Sequence, residues 1–374
     1  MKGARPGTTR PLTSSGRFVR LGTASMRSEA GGPFINVHRL DLRKYASRPL
    51  LARALCDYIL YHDHNPRKAL ELCSHATKIA GYTDWWWKAR LGKCYYQLGM
   101  LRESESQFQS SLKHQDAVVT VMELCKVYLR MDQPGTAMET YTAHMKKHPG
   151  DVSLLLGAAR VKEALNDAQG AFLLYKDVLK QEGSNVEAIA CLASYNFYTD
   201  QPELALRFYR RLLQMGVNNA ELWNNLGLCC FHASQYDMAL SCFSNAMCVA
   251  SNDALADVWF NVGHVAVGIG DLGMALQAFK VAVSVDSSHA EALNNLGVLE
   301  CRSGDVRAGR ASFSQAQRLS DHLFEAHFNG AVSAFRAGDL QESYDMVSRA
   351  AEVYPDHPDC KDLLKQLRTR LMLL

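Results

Sequence analysis

Two stretches of the chain invite a chemical reading, and neither has the surroundings that the chemistry needs. Gly268, Gly270 and Gly273 spell GxGxxG, the dinucleotide fingerprint, whose glycines work between a strand and a helix of a βαβ unit. Here helical periodicity runs on both sides, so the motif reads as a turn and no nucleotide cofactor is expected. His62, Asp63 and His64 could pinch a metal ion in a loop, but no cysteine or carboxylate set at ligand spacing accompanies them. An exposed turn between helices fits them better. The other histidines are scattered, and no Ser/His/Asp or Cys/His arrangement follows from their order. The expectation is a chain without catalytic, cofactor or metal residues, which binds other proteins.

Three sets of residues suit that binding. Trp85, Trp86 and Trp87 are consecutive, so on a helix they point about 100° apart and cannot all face one core. Some pack inside, and one could anchor an interface, as tryptophan often does. Asn225, Asn261, Asn295 and Asn329 recur at 36, 34 and 34 residues. Such amides could hydrogen-bond a ligand's backbone in either polarity, or simply serve packing. Glu187, Glu221, Asp257, Glu291 and Glu325 recur in the same rhythm. They form either an acidic rail for a basic segment or a set of first-turn carboxylates that stabilise their helices by about 0.3–1 kcal/mol each.

The rhythm itself fixes the architecture. Hairpins are expected to start near Leu50, Trp85, Val118, Val152, Val186, Ala220, Ala256, Ala290 and Phe324. The clearest unit carries Trp223, Leu226, Gly227, Ala239, Phe243 and Ala246. Trp223 and Leu226, three apart, share a face of the first helix. Gly227 admits the second helix closely, and Ala239, Phe243 and Ala246 form the opposing stripe at i, i+4 and i+7. Gly99, Gly270, Gly304 and Gly338 share one turn position, where a helix end favours positive φ. Pro66, Pro134 and Pro202 stand two residues after that position, opening the second helix without losing a hydrogen bond. These residues match the tetratricopeptide repeat. That resemblance implies an all-α fold, a right-handed α-solenoid superhelix with a concave inner wall. The chaperone clamp of some members needs lysine at the second and fifth positions, and this chain offers none there.

The bounds agree. Hydrophobic residues at 48% and charged residues at 21% supply a continuous core. A net charge of +3 gives no reason to expect a nucleic-acid partner. The eleven cysteines are an odd number without a CxxC pair. Sites such as Cys94, Cys125, Cys191 and Cys230 suit small core positions in a reducing compartment. No apolar run reaches the roughly 18 residues of a membrane span, and the first residues carry no signal peptide. Residues 1–32 are rich in Gly, Ser, Thr, Pro and Arg and read as an extended or disordered arm. Within it Arg5, Arg10, Arg17 and Arg20 help to give residues 1–28 a local charge of +6 without an acidic residue, suited to lying extended along the acidic rail of the chain's own repeats or along a neighbouring subunit. Residues 33–49 form a lead-in, 50–357 nine hairpins, and 358–374 a capping helix.

Longer stretches go beyond the repeat. SSGRFVRLGTASM, GGPFIN, DWWWKARLGKCYYQLGM, VEAIACLASYNFYTDQPELALRFYRRLLQMG, LWNNLGLCCF and DVWFNVGHVAVGIGD resemble the tetratricopeptide-repeat subunits of the BBSome, the Bardet–Biedl syndrome complex. The resemblance implies a structural connector in a coat-like complex that carries membrane receptors to and from cilia. It implies contacts with a second tetratricopeptide subunit and with propeller-bearing subunits, and membrane recruitment through an Arf-like small GTPase held by another subunit. It also implies residence in cytoplasm, cilium, basal body and centrosomal region. The family carries a further N-terminal helical region and a linker of Arg-Pro-x-Thr units. This chain opens within such a linker, at Arg5-Pro6-Gly7-Thr8 and Arg10-Pro11-Leu12-Thr13.

Overall fold

A computed structural model describes residue 37 and residues 40–372. The basic arm, with Arg5, Arg10, Arg17 and Arg20, lies outside the described residues. Among the described residues all regular structure is helical, and it divides into two compact units, one ending at Glu182 and one beginning at Gly183. In the first unit, α1 (Leu42–Ala46) precedes four hairpins: α2 (Pro49–Tyr61) with α3 (Pro66–Ile79), α4 (Trp85–Gln97) with α5 (Leu101–His114), α6 (Val118–Arg130) with α7 (Pro134–Lys147), and α8 (Val152–Ala164) with α9 (Ala168–Gln181). In the second unit, five hairpins pair α10 (Val186–Tyr198) with α11 (Pro202–Gln214), α12 (Ala220–His232) with α13 (Tyr236–Val249), α14 (Asn252–Ile269) with α15 (Leu272–Val285), α16 (Ala290–Arg302) with α17 (Val306–Leu319), and α18 (Phe324–Ala337) with α19 (Leu340–Val353); α20 (Pro358–Leu371) follows.

The turns explain the regularity. His64, Gly99, Asp132, Asn166, Asp200, Ser234, Gly270, Gly304 and Gly338 all take positive φ, from +48° to +97°. They occupy one position of nine hairpins, so the left-handed turn is universal although glycine fills only four places. Four of the second helices, α3, α9, α15 and α17, then start on side-chain caps: Asn65, Asp167, Asp271 and Asp305 accept from the backbone N–H three residues on. This satisfies donors that a helix start leaves orphaned.

Between the two helices of a hairpin, close approach depends on small residues. A Cβ on Gly227 would stand 2.7 Å from Phe243, and Gly92, Gly263 and Gly297 meet Phe108, Phe279 and Phe313 in the same way. Where the first helix carries Cys125, Ala159 or Ala193 instead, the aromatic is Tyr141, Tyr175 or Tyr209, and the Tyr175 hydroxyl reaches Glu163 at 2.9 Å.

One helix departs from the expected start. α14 begins at Asn252, a full turn before Ala256. The interval Asn252–Leu255 holds neither glycine nor proline, so nothing stops the helix from extending back to Ser251.

The ends are covered. Val37, Leu42, Tyr45 and Ala46 are buried with Leu72, Cys73 and Ala76 of α3 in one cluster. Cys360, Leu363 and Leu367 of α20 are buried with Ala331, Val347 and Ala350 of α18 and α19.

Candidate partner-binding surface

The asparagine column lies on the first helices of the second unit, and each of its members is half-buried. Its amides are partly used between helices. Asn261 donates to Asn224 Oδ1 at 2.8 Å, and Asn329 donates to Asn294 Oδ1 at 3.0 Å. Asn295 Nδ2 lies 3.1 Å from His264 Nε2, and Asn294 Nδ2 donates to Asn295 Oδ1 at 3.3 Å. Asn225 hydrogen-bonds Tyr209, whose phenol is nevertheless pushed up to about 12, chiefly by burial. Asn261, Asn295 and Asn329 therefore tie first helices to one another within this unit, while Asn225 bonds the second helix α11.

Amides have spare capacity after one bond each, and two of them line clefts. Asn225 faces a small one of about 80 Å³ with Ser194, Phe197, Tyr198 and Leu228. Asn329 faces one of about 390 Å³ with Cys301, Arg302, Ser333 and Arg336. Asn224 and Asn294, which complete the network, escape the column reading because they stand one residue earlier. A larger cleft of about 780 Å³, lined by Arg310, Gln317 and residues of α19, contains no member of the column.

Glu187, Glu221, Glu291 and Glu325 occupy first turns, whereas Asp257, because α14 begins at Asn252, stands in the second turn of its helix. Glu221, Asp257, Glu291 and Glu325 are exposed, while Glu187 is half-buried. His289, itself nearly buried, lies 3.5 Å from Asp257 and 3.2 Å from Glu291. The four first-turn carboxylates suit both the helix dipole and a basic ligand, and the early start of α14 leaves Asp257 outside the reach of the dipole.

The three tryptophans separate as their angular spacing requires. Trp87 is 3% exposed and belongs to the core beneath α2 and α3. Trp86 packs edge-on against it at 4.7 Å, between the guanidinium groups of Arg53 at 5.1 Å and Arg90 at 4.8 Å. Those cations are held by Asp84 at 2.7 Å and Asp57 at 2.8 Å, and the Asp57 bond helps raise the Arg90 pKa against its burial. Trp86 is thus occupied inside the first unit, and Trp85 is half-buried. Nothing in the spelling of the triplet distinguishes the three; the partners on α2 do.

The apparent chemical motifs are turns. Gly270 is the C-cap of α14 at φ +88°, and a helix stands where a dinucleotide site needs a strand. His64 holds the left-handed position after α2, and the His62 ring stacks on Tyr58 at 4.7 Å. All eleven cysteines are free thiols; Cys94, Cys125 and Cys230 are buried, Cys191 half-buried and Cys248 exposed. Among the described residues no helix is long and apolar enough to cross a membrane.

Comparison with known proteins places this geometry in a lineage. No family model matches the chain. Tetratricopeptide repeat protein 8 of Mus musculus is 52% identical over 369 residues, covering 98% of this chain and 72% of that protein. The protein of the same name from Caenorhabditis elegans is 42% identical over 354 residues, covering 95% and 70%. More distantly, BBSome complex member BBS4 of Bos taurus is 24% identical over 277 residues, covering 74% and 53%. Among solved structures, a tetratricopeptide repeat protein from Parabacteroides merdae covers 66% of this chain and 97% of its own at a TM-score of 0.55 and 17% identity. The APC/C hetero-tetramer Cut9–Hcn1 covers 88% and 65% at 0.52 and 14%. These two likenesses establish the tetratricopeptide fold. At 52% identity across nearly its whole length, the chain belongs to the tetratricopeptide repeat protein 8 family.

Proposed function

We propose that this chain is a non-enzymatic scaffold subunit of the BBSome, making protein–protein contacts for the traffic of membrane receptors to and from cilia. The observation that carries this is the 52% identity to tetratricopeptide repeat protein 8, together with the weaker likeness to a protein named as a BBSome member. On this reading its neighbours are a second tetratricopeptide subunit and propeller-bearing subunits. Membrane recruitment is indirect, through an Arf-like small GTPase on another subunit. The protein then resides in the cytoplasm, cilium, basal body and centrosomal region. Affinity purification from ciliated cells should return a stable multi-subunit assembly containing those proteins. Recovery of a monodisperse monomer alone would refute the reading. The basic arm fits an acidic surface within such an assembly, so deleting residues 1–28 should weaken assembly in a salt-sensitive way. Equal assembly of the deleted form at low salt removes that role.

A second reading is a peptide receptor that captures extended or basic segments. It is favoured by the half-buried amides Asn225 and Asn329 lining clefts, and by the exposed carboxylates Glu221, Asp257 and Glu291. Reversing those three carboxylates to lysine should abolish capture of a basic peptide while helicity is retained. Unchanged binding counts against it.

A further inference from the structure

The second helices of the first unit carry a column that the repeat pattern does not demand. Lys78, Lys113, Lys146 and Lys180 stand in the last turns of α3, α5, α7 and α9. Their spacings of 35, 33 and 34 residues make them one repeat position, and all four are exposed. A cation near a helix C-terminus is favoured by the dipole. That alone does not explain the distribution. The same position in the second unit holds Gln214, Cys248, Ser284, Arg318 and Glu352, and α13, α15 and α19 end with no basic residue in the last turn.

Counter-charges are few. Lys180 pairs with Asp177 at 2.7 Å. Among the described residues, Lys78, Lys113 and Lys146 have no carboxylate at ion-pair distance. The nearby Asp116 is already taken, by Lys147 at 2.8 Å and His144 at 3.2 Å. Beside Lys78, Ile79 is 60% and Tyr82 58% exposed, so one end of the column is apolar.

We propose that this lysine column is a docking rail for an acidic segment of a partner protein. Spacing along the column selects an extended segment. Each of these second helices packs against neighbouring first helices, and successive second helices are not packed on one another, so the lysines stand farther apart than the roughly 8–10 Å of a packed pair. A polyproline II segment rises about 3.1 Å per residue with three residues per turn, which returns every third side chain to one face after about 9 Å and covers a long span with few residues. The matching ligand spreads its carboxylates along one face of that extended segment and carries an apolar residue at the end that meets Ile79 and Tyr82. A flat anionic membrane fits less well, because Asp177 and Glu182 stand among the lysines and would face its headgroups.

Fluorescence anisotropy of the full chain with a labelled peptide of repeated Glu-Pro-Pro triplets, about twelve residues long, tests the match. Replacing Lys78, Lys113, Lys146 and Lys180 by glutamine should weaken binding about tenfold, roughly a factor of two per exposed ion pair. The variant Lys113→Gln with Lys146→Gln should lose about half that free energy, which guards against a fold defect in the larger variant. A control with Lys280, Arg307, Lys361 and Lys365 replaced by glutamine removes equal charge from the second unit and should bind as the parent does. A peptide of the same composition with its glutamates clustered should bind more weakly. Equal loss in rail and control variants, indifference to glutamate spacing, or rail-dependent binding of phosphatidylserine vesicles without the peptide would each overturn the proposal. The assay uses the isolated chain and a defined peptide, so its failure leaves the BBSome reading untouched.

Discussion

Protonating His264 would break the hydrogen bond that joins it to Asn295. Its ring sits edge-on to Phe260 at 4.6 Å and to Phe279 at 5.7 Å, and this burial lowers its pKa from 6.5. The neutral imidazole offers Nε2 as an acceptor to Asn295, 3.1 Å away. A charged ring would set two donors against each other, and turning the amide over would sacrifice the bond from Asn294. Since the folded pKa lies below the unfolded value, the unfolded chain binds more protons as pH falls. Stability is therefore complete above 6.5 and declines as pH drops through the lower folded value. Urea denaturation across that window should show a shallower decline for His264→Gln, and an unchanged slope would disprove the assignment. The amide column was visible in the sequence as a column. Its bonds to Asn224, His264 and Asn294 were not, because they depend on how one repeat is rotated against the next, which spacing does not encode. The same limit applies to Trp86, whose fate was decided by Arg53 on another helix.

Within a hairpin, side-chain volume is matched across the two helices. Gly227 faces Phe243, which is fully buried, so an added methyl has nowhere to go. Gly227→Ala should destabilise the protein by about 1–3 kcal/mol, the usual cost of overpacking. Adding Phe243→Leu should recover part of that loss, a non-additivity expected of contacting residues. Denaturation midpoints would read both effects, and a Gly227→Ala protein as stable as its parent would refute the matching. These pairs are legible in the sequence because position and size recur together. The turns are only half legible. Gly99, Gly270, Gly304 and Gly338 declare a left-handed backbone, and Asp132, Asn166 and Asp200 tolerate one. His64 belongs to a type also enriched there, whereas Ser234 gives no such sign, and only the register with the other hairpins assigns it. α14 shows the opposite failure, since periodicity marks where a helix must pack and not where it stops.

At the scale of the whole chain, a stack of hairpins has two ends that no neighbour covers. α1 does this work in the first unit and α20 in the second. α20 buries Cys360, Leu363 and Leu367 on the face of the last hairpin. Removing residues 358–374 would strip roughly 1.5–3 kcal/mol of burial for each such side chain. Hydrogen exchange should then accelerate in α18 and α19 while α4–α7 keep their protection, because repeats communicate through adjacent contacts. Uniform loss of protection would show that the array does not behave as a chain of neighbours. The helical class was written in the period of the sequence. The lysine column was written there too, on second helices rather than first.

The nine left-handed turns also have a stereochemical meaning. A mirror-image amino acid prefers positive φ for the same steric reason that an ordinary one avoids it. Ser234, at φ +57°, is a place where the chain already has the geometry of a D-residue. A semisynthetic protein carrying D-serine there should fold at least as stably as the natural one. The same inversion at Phe243, in the middle of a helix, should not be tolerated.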